Sequence, residues 1–142
     1  MREFAFPFLD GDEPEELGPA DPTYNCVAWA VGDVSHWWWP HEGRYWPDEL
    51  PRAETLDAII AALATAGYTD CPTPNLEPGL EKVAVYANAG IPAHVARQQP
   101  DGGWSSKLGG DVLIGHATPH GVEGPVYGDV VCYLARPIPA GS

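Results

Sequence analysis

The sequence is poor in bases. Its 142 residues hold seven Lys and Arg against twenty Asp and Glu, a formal net charge of −13. Only Lys82 and Lys107 are lysines. A nucleic-acid backbone is bound through a stripe of Lys and Arg, and an anionic membrane surface needs the same, so neither is expected as a partner. Cysteine is scarce as well. Cys26, Cys71 and Cys132 make no even set, which argues against a disulfide framework and for a reducing compartment. Long apolar runs are missing: the longest, Ala58 to Ala64, falls far short of the roughly 20 residues of a membrane span. The apolar stretch over residues 4–9 is short, broken by Pro7 and followed by acids, unlike a secretory signal. These features predict a cytoplasmic protein, or one exported by a specialised secretion system without a cleaved signal peptide.

What the chain does have is punctuation and apolar mass. Gly and Pro number 16 each, too many for long uninterrupted helices, so a bundle or coiled coil is excluded. At 44% hydrophobic residues the chain is too apolar to be disordered throughout, and its length suits one domain. Residues 1–21 carry seven acids and one base, −6 of the −13. The expected organisation is an acidic arm over 1–20, one domain over 21–137 and a short tail over 138–142. Within the arm, Phe4, Phe6 and Phe8 alternate as in a short edge strand, and residues 11–20 read as solvated linker.

Asp21-Pro22 is a good helix start, with Asp as cap and Pro as first helical residue. Asn25 is an alternative cap, which would make Cys26 the first helical residue; Gly32 ends the helix. A second helix is predicted between Pro51 and Gly67, where Leu56, Ile59, Ile60 and Leu63 fall at helical spacing and Thr55 can cap. An aromatic loop over 33–51 lies between them and holds Trp37, Trp38, Trp39, Tyr45 and Trp46. Such a run pins an irregular loop to the core, with one or two rings at a cleft rim. A Pro-rich loop follows over 70–79. The rest reads as strands over 82–87, 93–98, 104–108, 112–116 and 127–134, with Pro100-Asp101-Gly102-Gly103 as a hairpin turn. Helices first and an antiparallel meander after them predict an α+β domain.

Cys26 is the residue best placed for chemistry. A helix N-terminus stabilises negative charge and so lowers a thiol's pKa, and its free N–H groups can hold an oxyanion. The competing reading is a buried core cysteine. A nucleophilic thiol needs a base. His94, between Ala93 and Val95, is the first choice, and His116, at the end of another strand, is the second. A third group should orient the imidazole: Ser106 across the hairpin, or Asp111, the nearest carboxylate. The N–H of Cys26, with Asn25 or Tyr24, is the candidate oxyanion donor. Trp29, Trp38 and Lys107 are candidate substrate contacts, and Lys107 with Arg97 makes a locally basic spot that would favour a thiolate or an acidic substrate group. Cys132, in an apolar strand, and Cys71, in a loop, are poor nucleophiles. His36, His41 and Glu42 lack a further ligand cluster, so no metal site is expected.

The strings Tyr24-Asn25-Cys26-Val27-Ala28-Trp29-Ala30, Trp37-Trp38-Trp39-Pro40, Lys82-Val83-Ala84, His94-Val95-Ala96-Arg97-Gln98 and Trp104-Ser105-Ser106-Lys107-Leu108-Gly109 together resemble an uncharacterised bacterial domain family, over roughly Pro22 to Arg136. The order of elements is more loosely similar to the NlpC/P60 and CHAP amidases of the papain-like superfamily. That resemblance implies a papain-like α+β fold with N-terminal helices packed on an antiparallel sheet, Cys26 as nucleophile and His94 as base. The third residue would be Ser106 by an NlpC-like hairpin, or Asp111 by the longer CHAP-like spacing. The Asp-Cys-Ser-Gly string common in NlpC/P60 proteins is missing, so no substrate class transfers. The expected function is a cysteine hydrolase or amidase that acts through an acyl-enzyme on an amide or peptide-like substrate, without metal or organic cofactor. Peptidase, peptidoglycan amidase, deamidase and acyl transferase share that machinery. The alternative is a non-catalytic acidic binding or immunity-type module that captures a basic protein.

Overall fold

The alternating residues around 82–87 form the central strand of a sheet. The structure, a computed structural model, describes residues 15–138. Its elements are β1 (Glu15–Gly18), α1 (Cys26–Val31), α2 (Leu56–Thr65), β2 (Thr69–Cys71), β3 (Leu80–Asn88), β4 (Ile91–Gln98), β5 (Trp104–Lys107), β6 (Leu113–His116), a 3₁₀ turn (Pro119–Val122) and β7 (Asp129–Pro137). All the strands join one antiparallel sheet in the order β1-β6-β5-β4-β3-β7-β2. β3 to β6 form a meander, and β7 returns along the far side of β3, pairing Val83 with Leu134 and Val85 with Cys132. A two-residue hairpin turn of type I′ needs left-handed backbone at both central positions. Ala89 at φ 53° and Gly90 at φ 81° supply it between β3 and β4.

Side chains of a strand alternate between the two faces of its sheet. Val83, Val85 and Val95 pack beneath the helices with Val27, Ala30, Ile59, Leu63, Trp38 and Trp46. Ala84, Tyr86 and Ala96 belong to the opposite face, with Trp104, Ile114 and Val122. Both faces of β3 are therefore covered, which is why its sequence is a near-continuous apolar run.

The entrance to α1 is clamped from two sides. Asn25 is the cap, its Oδ1 accepting from the Ala28 N–H at 3.2 Å. The same amide pairs with the backbone of Trp38: Oδ1 accepts its N–H at 3.1 Å and Nδ2 donates to its carbonyl at 2.8 Å. One side chain thus starts the helix and fixes the aromatic loop. From β5, the buried Lys107 ammonium donates to the carbonyls of Asp21 (2.6 Å), Tyr24 (3.1 Å) and Gly109 (2.7 Å).

The expectation of a papain-like α+β domain with N-terminal helices is corrected. The molecule is mostly antiparallel sheet, seven strands with only two short α-helices among the described residues. α1 has 6 residues because Gly32, left-handed at φ 87°, stops it; α2 has 10 because Thr55, not the Pro51 region, caps it. Two strands also differ from the sequence reading. β1 lies in the stretch read as linker and pairs with the edge of β6, and β2 lies at the start of the stretch read as Pro-rich loop and pairs with β7. The alternating Phe4, Phe6 and Phe8 and residues 139–142 of the tail lie outside the described residues. Among those described, no helix is long and apolar enough to cross a membrane.

Beneath the helices, Glu81 on β3 is largely buried among donors. Arg136 reaches Oε1 through Nη2 at 2.7 Å and Nε at 3.1 Å, Arg97 Nη2 reaches Oε2 at 3.0 Å, and the Tyr68 hydroxyl lies 2.9 Å from Oε1. Burial by itself would raise the Glu81 pKa, but the Arg136 and Arg97 hydrogen bonds and charges outweigh it and hold the carboxyl below its ordinary value. A group with a depressed folded pKa stabilises the fold fully above its unfolded pKa, roughly 4.3, and loses that contribution as pH falls through the folded value. Urea unfolding is expected to show stability falling below about pH 5, with a shallower acid dependence in Glu81→Gln. That variant should also lose about 3 kcal/mol at pH 7, because one buried and one half-buried guanidinium group lose their counter-charge. Asn25→Ala leaves three backbone groups without partners and is expected to cost about 2–4 kcal/mol in the same measurement.

Candidate active site

β4 and β5 pair only at Arg97 with Ser105 and Gln98 with Trp104. Beyond that point the strands part. The Gln99 N–H donates to the Gly103 carbonyl at 2.7 Å, so the two-residue alternation of the ladder turns the Val95 N–H toward β5 as well. There it faces the sulfur of Cys26, which sits at the first position of α1. On the other side of β4 the register with β3 slips between Tyr86 and Ala87, leaving Ala93 as an extra residue. Such a bulge re-aims its neighbour, and the neighbour is His94.

Cys26 and His94 line one cleft of about 390 Å³, together with Trp37, Trp39, His41 and Arg44 from the aromatic loop and with Tyr127. The Tyr127 ring stacks on the His94 ring, 4.0 Å between centroids and 4° from parallel. Gly128 allows this: it is left-handed at φ 75°, and a Cβ there would lie 2.0 Å from the Ala87 carbonyl oxygen.

A hydrogen-bonded chain runs from His94 across the split. His94 Nε2 is 2.9 Å from Ser106 Oγ, Ser106 Oγ is 2.8 Å from His116 Nε2, and His116 Nδ1 is 2.7 Å from the Thr118 carbonyl. A carbonyl only accepts, so His116 Nδ1 carries a hydrogen. In the neutral ring His116 Nε2 then accepts from the Ser106 hydroxyl, and Ser106 in turn accepts from His94 Nε2–H. That assignment leaves His94 Nδ1 with a free lone pair. It is buried and has no hydrogen-bond partner. Burial first, and the neighbouring His116 second, hold the His94 pKa well below the ordinary imidazole value.

The thiol departs from the sequence-based expectation of a preformed thiolate. Burial pushes Cys26 up to about 11, against the backbone N–H groups of Val95, Val27 and Cys26 and the charge of Lys107, which lower it. Six residues of helix do not offset the loss of solvent. At neutral pH the cleft therefore holds an uncharged thiol and an uncharged imidazole.

The other predicted site residues fall into two groups. Ser106 is on His94, whereas the Asp111 carboxylate accepts from the Val112 N–H at 2.8 Å in the loop after β5. Asn25 lines the cleft, but its amide is engaged with Trp38 and Ala28. Tyr24 lies under the Lys107 ammonium, 4.5 Å from ring centroid to Nζ. Lys107 is hydrogen-bonded to backbone carbonyls, yet its charge still acts to lower the thiol's pKa as expected, whereas Arg97 is committed to Glu81. Trp29 donates to Ser105 Oγ at 2.9 Å, and Trp38 is a core residue donating to Asp33 at 2.8 Å. The rings at the cleft are instead Trp37 and Trp39. Sequence reasoning missed Tyr127 and Arg44, which lie in loops with no periodicity, and it took His116 as an alternative base when it is the second link behind Ser106. Among the described residues no group of three His, Cys, Asp or Glu is placed to hold a metal ion; His36 pairs with Asp33 at 2.9 Å and His41 Nδ1 donates to the Glu42 carbonyl.

No curated protein and no solved structure matches the chain. One family model does, over residues 15–135, which is most of the sequence and all of the sheet but the end of β7. The chain therefore belongs to the family described as a domain of unknown function, DUF7689.

Proposed function

We propose that this protein is a cysteine-dependent hydrolase that cleaves an amide or peptide-type bond through an acyl-enzyme on Cys26. The observation that carries the reading is the buried, unpartnered Nδ1 of His94, on a ring that lines the same cleft as the thiol. A buried polar atom left without a partner is costly. An acceptor kept that way on a ring that shares a cleft with a thiol is accounted for if it receives a proton during reaction.

The neutral resting pair sets the order of events. The sulfur attacks the substrate carbonyl carbon while its proton passes to His94 Nδ1, so the charged imidazolium exists only once the oxyanion does. The N–H groups of Cys26 and Val27, which already face the sulfur, are the donors nearest the developing oxyanion. His94 then gives its proton to the leaving nitrogen as the C–N bond breaks, leaving a thioester on Cys26. A water, giving its proton to Nδ1, attacks the thioester carbon; the C–S bond breaks and the sulfur takes the proton back. Ser106 and His116 act as positioning residues that keep the base lone pair on Nδ1. No metal or organic cofactor enters the cycle. A second reading draws on the raised thiol pKa: Cys26 is inert packing, and the acidic surface captures a basic protein partner.

The two readings part on acylation. With p-nitrophenyl acetate, mass spectrometry of the protein is expected to find one acetyl group, on Cys26, and none on Cys71 or Cys132. The rate should fall about 10²–10⁴-fold in His94→Gln, and less in Ser106→Ala and His116→Gln, with thermal melting showing each variant folded. Because the base is active when neutral and its pKa is depressed, the wild-type rate should hold a plateau through neutral pH, fall on the acid side only below about pH 6.5, and rise again as pH nears 11 and the thiol ionises. Acetylation spread evenly over the cysteines, or a His94→Gln rate equal to wild type, would leave the binding module standing instead.

A further inference from the structure

We infer that the cleft takes an acyl group that carries a carboxylate, read by the Arg44 guanidinium on the face of Trp37; the inference rests on the hydrolase reading above. The chain holds twenty acids and seven bases, yet none of the ten described residues lining the cleft is Asp or Glu, while His41 and Arg44 are among them. The acids near these residues in the chain are turned to other uses or lie outside the lining: Glu54 accepts from Trp39 Nε1 at 2.7 Å, Asp111 accepts from the Val112 N–H at 2.8 Å, and Glu42, Asp48 and Glu49 are exposed. Among the described residues the lining thus offers a guanidinium and no carboxylate, an arrangement that attracts an anion.

Among the described residues, Arg44 is also the one base left available. Arg97 and Arg136 bind Glu81, Lys82 binds Glu77 and the Thr73 carbonyl, and Lys107 and Arg52 bind backbone carbonyls. Of the six described Lys and Arg side chains, only that of Arg44 makes no hydrogen bond. It lies over the Trp37 ring, 4.6 Å from Cζ to centroid. Stacking leaves the in-plane N–H edges of a guanidinium open, the geometry that holds a carboxylate through two parallel bonds. The backbone beneath it is fixed, because Arg52 Nη1 donates to the carbonyls of His41 (3.0 Å) and Arg44 (3.1 Å). The cation is thus anchored on a braced loop, on the rim of the cleft that Cys26 lines.

The test compares acylation of Cys26 by p-nitrophenyl hemiglutarate with that by the uncharged p-nitrophenyl valerate. Wild type is expected to prefer the anionic ester by about fivefold in second-order rate at low salt, the range of a partly exposed ion pair, and the preference should shrink as salt is added. The ratio should fall to about one in Arg44→Gln, stay above one in Arg44→Lys and invert in Arg44→Glu. The α- and γ-p-nitrophenyl esters of N-acetylglutamate separate a side-chain from a main-chain carboxylate; a preference for either that Arg44→Gln removes supports the assignment. Equal rates for charged and neutral esters in wild type, or a ratio that Arg44→Gln leaves unmoved, would overturn it while leaving the hydrolase reading intact. Failure of every ester to acylate Cys26 would overturn the hydrolase reading itself.

Discussion

The β4–β5 ladder stops after two residue pairs, and the rest of the site follows from that interruption. A strand edge opened inside a sheet leaves N–H groups that need partners. Val95 meets the Cys26 sulfur, and farther across the split His94 and Ser106 close the gap with a side-chain hydrogen bond in place of a backbone one. The bulge at Ala93 on the β3 side belongs to the same accommodation. A helix that begins at the split, and a histidine on the face opposite that helix, thereby come to line a single cleft.

Holding the split open requires rigidity around it, and buried polar groups provide it. Asn25 ties the start of α1 to the aromatic loop, Lys107 ties the approach to α1 onto β5, and Glu81 gathers Arg97, Arg136 and Tyr68 under the helices. Each is a polar side chain with most of its bonding capacity used inside the protein, the condition under which burial is tolerated. The donors of Arg97 and Lys107 are consumed in this way. The burial that makes the site rigid also keeps Cys26 protonated and His94 neutral. The proposed reaction is built on that consequence: charge is separated during attack on the substrate and not before.

Much of the scaffold was legible. The caps at Asn25 and Thr55, the stop at Gly32 and the hairpin after Gln98 are local events, decided by a few neighbouring residues. β1 and β2 were not legible, because Glu15–Gly18 and Thr69–Cys71 are short, largely exposed and without apolar alternation; each is a strand only because a partner edge is there to pair with it. The papain-like expectation failed for a related reason. Element order alone does not say how short the helices are or that strands join at both ends of the sheet.

The sequence by itself determined the net charge, the stop of α1 at Gly32, the meander and the identity of Cys26 and His94 as the residues worth following. Those properties are local or additive, so a one-dimensional reading reaches them. Only the tertiary structure decided which lone pair His94 keeps, that Ser106 rather than Asp111 is on it, that the thiol is neutral, and that Arg44 rather than Lys107 is the cation at the cleft. Each of these depends on burial and on partners distant in the chain, and the free energy of a charge or a proton is set by its surroundings in space.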